Sequence, residues 1–180
     1  ERAGLSAEDT PELRRHLAGV EVELDPVDAR VRVHGRDVTA EIRSAPISAL
    51  TSRLSTLRVV RDKVTPLQRR LAAAGAAILE GRDTGTVVCP DAEVKFYLDA
   101  SPDARARRRQ ADLRGQGIAM ELEAVRDEVG ARDLQDTTRA LAPLTRADDA
   151  IAVDTSHLTV EQVVELMREA VERRRCCTRS

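Results

Sequence analysis

The sequence predicts an α/β fold built on a parallel sheet. Three short, almost continuous apolar runs carry that reading: AAILE at 76–80, VKFYLDA at 94–100 and AIAVD at 150–154. Helical segments at 102–114, 119–129 and 159–175 alternate with them, and buried strands separated by helices belong to parallel sheets. At 180 residues the chain is long enough for one domain with a core and small inserted lobes.

Taken in order, residues 6–18 (SAEDTPELRRHLA) read as a short helix, capped by Asp9 or Thr10 with Pro11 in the first turn. VEVEL at 20–24 and RVRVH at 30–34 alternate apolar and polar residues around DPVDA, the pattern of a β-hairpin with one buried face. Its style differs from the rest of the chain, which marks an inserted lobe. Gly35-Arg36-Asp37 reads as a further turn. Residues 45–73 are helical in composition, with Pro66 expected to kink or restart the helix.

Composition narrows the function classes. The net charge of −2 gives no global field for nucleic acid or anionic membrane. Phe96 and Tyr97 are the only aromatic residues, which argues against a binder that stacks single-stranded bases. Cys89, Cys176 and Cys177 suit neither a disulfide framework nor a zinc site, and a reducing, cytoplasmic setting fits them. His16, His34 and His157 lack the spacing of a metal site or a triad. No run approaches 18 apolar residues and no signal peptide opens the chain. Of the 29 basic residues, 27 are arginine and only Lys63 and Lys95 are lysine. Arginine grips phosphate with a planar fork, but biased codon use produces the same excess, so individual positions must decide.

Three constellations could carry chemistry. Glu80-Gly81-Arg82-Asp83-Thr84-Gly85-Thr86 follows a predicted strand, and ligands of open α/β sheets bind beyond the carboxyl ends of strands. It reads either as a loop offering a phosphate fork and an acceptor for an amino group, or as an ordinary turn with a local ion pair. Arg132, Asp136 and Arg139 fall at i, i+4 and i+7, one face of a helix. That face is either a solvated ion-paired surface or a lid whose arginines offset charge on a transferring phosphoryl group. Arg105, Arg107, Arg108 and Arg109 form a solvated helix face or supply a contact to ATP. An RNA-binding role for them lacks aromatic interleaving.

Together these segments resemble the bacterial cytidylate kinases. The motifs are GRDTGTVVCPDAEVKFYLDASPDARARRR at 81–109 and RDLQDTTRALAPL at 132–144, joined by GRDVTAEIRS at 35–44, SRLSTLRVVRDKVTPLQR at 52–69 and AIAVDTSHLTVEQVVELM at 150–167. The resemblance implies a P-loop nucleoside monophosphate kinase fold: a parallel sheet with helices on both faces, an inserted antiparallel β lobe and a helical lid. It divides the chain into a helical remnant at 1–19, the nucleotide-binding insert at 20–65, core at 66–125, lid at 126–143, closing strand and helix at 144–175, and a tail. It implies phosphoryl transfer from ATP, with Mg²⁺, to CMP or dCMP, by a monomer that binds no nucleic acid or membrane. By position, Ser52, Arg61 and Asp83 match residues that read the cytosine edge, and Arg82 one that grips the CMP phosphate. Asp136 matches a residue near the ribose, Arg132 and Arg139 the lid arginines, and Arg108 a nucleotide-contacting arginine. The set makes chemical sense. Cytosine offers an amino donor at N4 and acceptors at N3 and O2, whereas uracil reverses the pattern at positions 3 and 4 and would leave polar groups unpaired.

The chain departs from the family: the segment after the first strand, which contributes CMP contacts there, is missing, Cys89 stands where phenylalanine is common, and the main departure concerns the phosphate-binding loop. None of its nine glycines precedes a lysine, so the G-x-x-x-x-G-K-[ST] loop on the family's first strand is absent. A chain that starts at Glu1 and lacks that strand is expected to be an excised or incomplete piece that folds poorly and does not turn over alone. In the family that strand lies between the strands matching 76–80 and 94–100. A non-catalytic nucleotide-binding module is the alternative reading.

Overall fold

The structure is a computed structural model that describes residues 4–25, 28–75 and 77–177. The chain divides into two compact units, Glu1–Ala77 and Ile78–Ser180.

The first unit opens with α1 (Pro11–Gly19). Thr10 caps it, its Oγ1 accepting the Leu13 amide at 3.2 Å, and Pro11 sits where a missing N–H costs nothing. Asp9, the other cap candidate, instead accepts from Arg14 Nε at 2.7 Å, and that bond holds its carboxyl below the ordinary aspartate range. Strands β1 (Val22–Asp25) and β2 (Arg30–Val33) pair antiparallel with Val22 opposite Val33. The turn expected at 35–37 falls one residue earlier. His34 and Gly35 take positive φ, 49° and 73°, and Arg36–Asp37 returns as β3 against Val33 and Arg32. The lobe therefore has three strands. Val22, Val31 and Val33 are half-buried while Leu24 is exposed.

The helical stretch that follows is broken. Helix α2 (Ala45–Leu54) ends where Ser55 and Thr56 hydroxyls donate to the carbonyls of Ser52 and Arg53, at 2.8 and 2.7 Å, and satisfy its last turn. Helix α3 (Arg58–Ala73) follows after residues 55–57 and runs through Pro66 without a restart. Lys63 before the proline and Leu67-Gln68-Arg69-Arg70-Leu71 after it are strong helix formers, and they carry the helix past the lost hydrogen bond.

At the start of the second unit, residues 78–80 form no strand, nor does Ala77 before them, and Ile78 is almost fully exposed. A strand exists only in a ladder, and no described residue pairs with this run. The ladder joins β4 (Phe96–Asp99) to β5 (Ile151–Asp154) in parallel, Phe96 opposite Ile151 and Asp99 opposite Asp154. Ser101 and Pro102 start α4 (Pro102–Gly115), with Ser101 Oγ accepting the Ala104 amide at 3.2 Å. Gly117, at φ 78°, ends it: its amide reaches the Arg114 carbonyl and the Ile118 amide the Leu113 carbonyl. That is the left-handed cap glycine alone adopts without strain. Helix α5 (Leu122–Thr138) runs nine residues past its predicted end at 129, through Gly130. Ala106 and Leu113 of α4 and Val125 of α5 form the core, flanked by Met120, Leu122 and Val129. Helix α6 (Val160–Cys177) closes the unit. No described helix is long and apolar enough to cross a membrane.

Replacing Pro66 with alanine restores a donor to the Asp62 carbonyl. The substitution is expected to stabilise the first unit by about 1–3 kcal/mol in denaturant unfolding, the helix-interior gain less the entropy proline removes from the unfolded chain.

Candidate functional site

The second unit gathers four of the residues singled out from the sequence. Asp136 lies in the last turn of α5 with its side chain 8% exposed. Its Oδ2 accepts Arg82 Nε at 2.8 Å, and its Oδ1 is 3.7 Å from an Arg139 guanidinium nitrogen. The other end of that guanidinium is 3.9 Å from Asp83 Oδ1. Arg139 is nearly as buried, at 6%, while Arg82 is 44% exposed. Two guanidiniums and two carboxylates thus interlock, one member of each kind well buried, the pattern that makes burying charge tolerable.

Local backbone explains how they meet. After Asp83 the chain makes a single π-helical turn, Thr84–Val88, in which the Asp83 carbonyl accepts the Val87 and Val88 amides at 2.9 and 3.2 Å. Asp83 therefore belongs to the turn rather than to a free loop. Arg139 does not continue the α5 face. It is the C-cap, with extended backbone, and its Nε donates to the Ala142 carbonyl at 2.7 Å. Ala142 takes a left-handed φ of 47° to present that carbonyl, and the Leu144 amide closes back on the Asp136 carbonyl at 2.7 Å.

The face expected of Arg132, Asp136 and Arg139 accordingly loses Arg139, while Arg132 and Asp136, four residues apart, both stay on α5. Arg132 is exposed on α5 and makes no side-chain hydrogen bond or ion pair among the described residues, while Asp136 is buried. Arg108 is tied elsewhere. Its guanidinium donates to Thr155 Oγ1 at 2.9 Å and to the Thr155 carbonyl. Thr155 in turn donates from N and Oγ1 to the Asp99 carbonyl, which fastens α4 to the carboxyl ends of both strands. Arg105, which the sequence reading placed only among a run of arginines, binds Asp99 and the Ala100 carbonyl and also lies 2.9 Å from Asp133 of α5. Its i, i+3 spacing from Arg108 is the signal that both grip strand ends from one helix face.

In the first unit, Ser52 lies in the last turn of α2 and Arg61 in the first turn of α3, both half-buried. On one straight helix, nine residues apart, they would sit about 180° from each other. The break at 55–57 removes that constraint.

Two parallel strands joined through helices, with an interlocked cluster of two guanidiniums and two carboxylates, define an α/β protein. A family model described as cytidylate kinase matches residues 2–173, and the chain belongs to that family. It is 44% identical to the cytidylate kinase of Citrifermentans bemidjiense over 97% of this chain and 76% of the relative. It is 44% identical to that of Geobacter sulfurreducens over 98% and 77%, and 37% identical to that of Pseudothermotoga lettingae over 97% and 78%.

Removing the Asp136 carboxylate sets two guanidiniums against each other, one of them buried. Asp136→Ala is expected to lose about 1–3 kcal/mol in thermal unfolding. Arg82→Ala should cost about 1 kcal/mol or less, because Arg82 is half in solvent and Arg139 still faces Asp136. The reverse order would mean that Arg82 rather than Asp136 anchors the cluster.

Proposed function

We propose that this chain is the acceptor-binding part of a cytidylate kinase, taking CMP or dCMP for phosphoryl transfer from ATP to give CDP or dCDP and ADP. The family match across residues 2–173 carries the reading. The interlocked cluster gives it chemistry. When empty, Arg82 and Arg139 neutralise Asp136 and Asp83. Arg82, half exposed on a buried carboxylate, is the member that can turn from Asp136 to an incoming phosphate while Arg139 keeps Asp136 paired. Asp83 then takes the cytosine amino group, and Ser52 and Arg61 read the rest of the base edge by motif match. Asp136 serves the ribose. Arg139 and Arg132 offset charge on the transferring group, and Arg132, exposed on α5, is free to meet it. Transfer is direct, by positioning and charge stabilisation, without a covalent enzyme intermediate.

The residues of this chain do not fit the donor's triphosphate. No G-x-x-x-x-G-K-[ST] occurs in the 180 residues. Lys95 binds Asp149 and Lys63 the Ala18 carbonyl, and no cluster of three acidic, histidine or cysteine ligands occurs among the described residues. Arg108, matched to a nucleotide-contacting arginine, would first have to leave Thr155. No step is therefore derived for ATP or Mg²⁺. The partners are small nucleotides, and the chain acts as a monomer in the cytoplasm.

Calorimetry with CMP, dCMP and UMP, beside an assay for CDP formation with ATP and Mg²⁺, tests this. Residues 1–180 are expected to prefer CMP to UMP and to form no CDP above background. Arg82→Ala should weaken CMP binding about tenfold to a hundredfold, the worth of a charged hydrogen bond to phosphate. Equal affinity for CMP and UMP would overturn the base-reading assignment. Robust turnover would mean that other residues hold the donor.

A further inference from the structure

Lys95 is a nearly buried cation that the acceptor site does not use. Its side chain is 8% exposed, in a chain where all but two of the basic residues are arginine. The ammonium donates to both Asp149 oxygens, at 2.9 and 2.7 Å, and to the Pro90 carbonyl. The stem runs along Gly85: a Cβ added to that glycine would lie 3.3 Å from Lys95 Cδ, 3.7 Å from Cγ and 3.9 Å from Cβ. The main-chain carbonyl of Lys95 accepts the Ile151 amide at 2.9 Å, which ties this residue to the first residue of β5. One side chain therefore touches the π-helical turn at its start, the segment that leaves it, and the turn that precedes β5.

We propose that Lys95 is a positioning residue for the acceptor site: its stem and ammonium clamp the 84–90 segment to the sheet and so aim Asp83 and Arg82. The link to those residues runs through the main chain. Gly85 lies two residues after Asp83, and the Asp83 carbonyl is a shared acceptor of the turn's amides. The residue type follows from the space. A thin methylene chain passes beside a glycine backbone, whereas a planar guanidinium needs room for its fork. The pair is well kept, since the hydrogen bond from Lys95 holds the Asp149 carboxyl below its ordinary value. The functional half of this inference rests on reading Arg82 and Asp83 as the acceptor site; the clamp itself does not.

The test uses Lys95→Met and Gly85→Ala in the 180-residue chain, the second because its Cβ displaces the stem while leaving the ion pair's groups in place. Amide exchange is followed at Val87, Val88 and Cys89, against the Thr155 and Val125 amides as references, and CMP and UMP affinities are measured in parallel. Both variants are expected to exchange about tenfold or more faster at 87–89 relative to the references. Their CMP-over-UMP preference should fall by about the same factor, and Lys95→Arg should not restore it. Unchanged relative exchange at 87–89, or an intact preference with only a lower Tm, would reduce Lys95 to a structural ion-pair partner. Should Lys95→Met fail to fold, Asp149→Asn removes the ammonium's exposed partner and is read by the same amides. A wild-type chain that binds CMP and UMP alike would sink the acceptor-site reading, and the amides would still decide the clamp.

Discussion

A buried carboxylate cannot stand alone, and the second unit is arranged around that requirement at Asp136. The carboxylate rides on α5, whose earlier turns pack Val125 against Ala106 and Leu113 of α4. Apolar burial thus delivers a charge to a nearly dry position, and the charge then dictates what surrounds it. Arg82 must come from the segment before the π-helical turn and Arg139 from the helix exit.

Helix α4 plays a complementary part. Arg105 and Arg108 reach from one face of it to Asp99, Ala100 and Thr155, and Arg105 reaches on to Asp133. The strand ends, α4 and α5 are therefore stitched by guanidiniums where a larger domain would use side chains in a core. This gives the arginine-rich composition a structural component. Arg105 and Arg108 belong to the frame of the second unit, where their bonds to Asp99, Ala100 and Thr155 hold the strand ends.

Local signals were the legible ones. Thr10-Pro11 and Ser101-Pro102 announce helix starts, the alternation at 20–34 announces a hairpin, and the apolar runs at 94–100 and 150–154 contain β4 and β5. The run at 76–80 carries the same composition but lacks a ladder partner among the described residues, and composition cannot supply one. Gly130 did not stop α5, because its cost of about 1 kcal/mol is outweighed by the packing of Leu122, Val125 and Val129 before it. In the site, the motifs at Arg82-Asp83 and Asp136 pointed to residues that do meet. Arg139 was misplaced on the α5 face because its role depends on a helix ending one residue earlier. Lys95 was invisible, since nothing in its neighbours in sequence reveals that Gly85 passes over its stem.

Ala142 shows how such a site sits relative to the thermodynamic optimum. An alanine at φ 47° carries a Cβ penalty of about 1–2 kcal/mol, and glycine would remove it. Glycine would also enlarge the unfolded ensemble and return much of the gain. Alanine and glycine at 142 are thus close in folding free energy, yet they differ in how firmly the carbonyl under Arg139 is aimed. A mutational survey scored on melting temperature would pass over residue 142. One scored on the orientation of Arg139 would single it out, and the gap between the two scores measures how much of this corner is kept for precision.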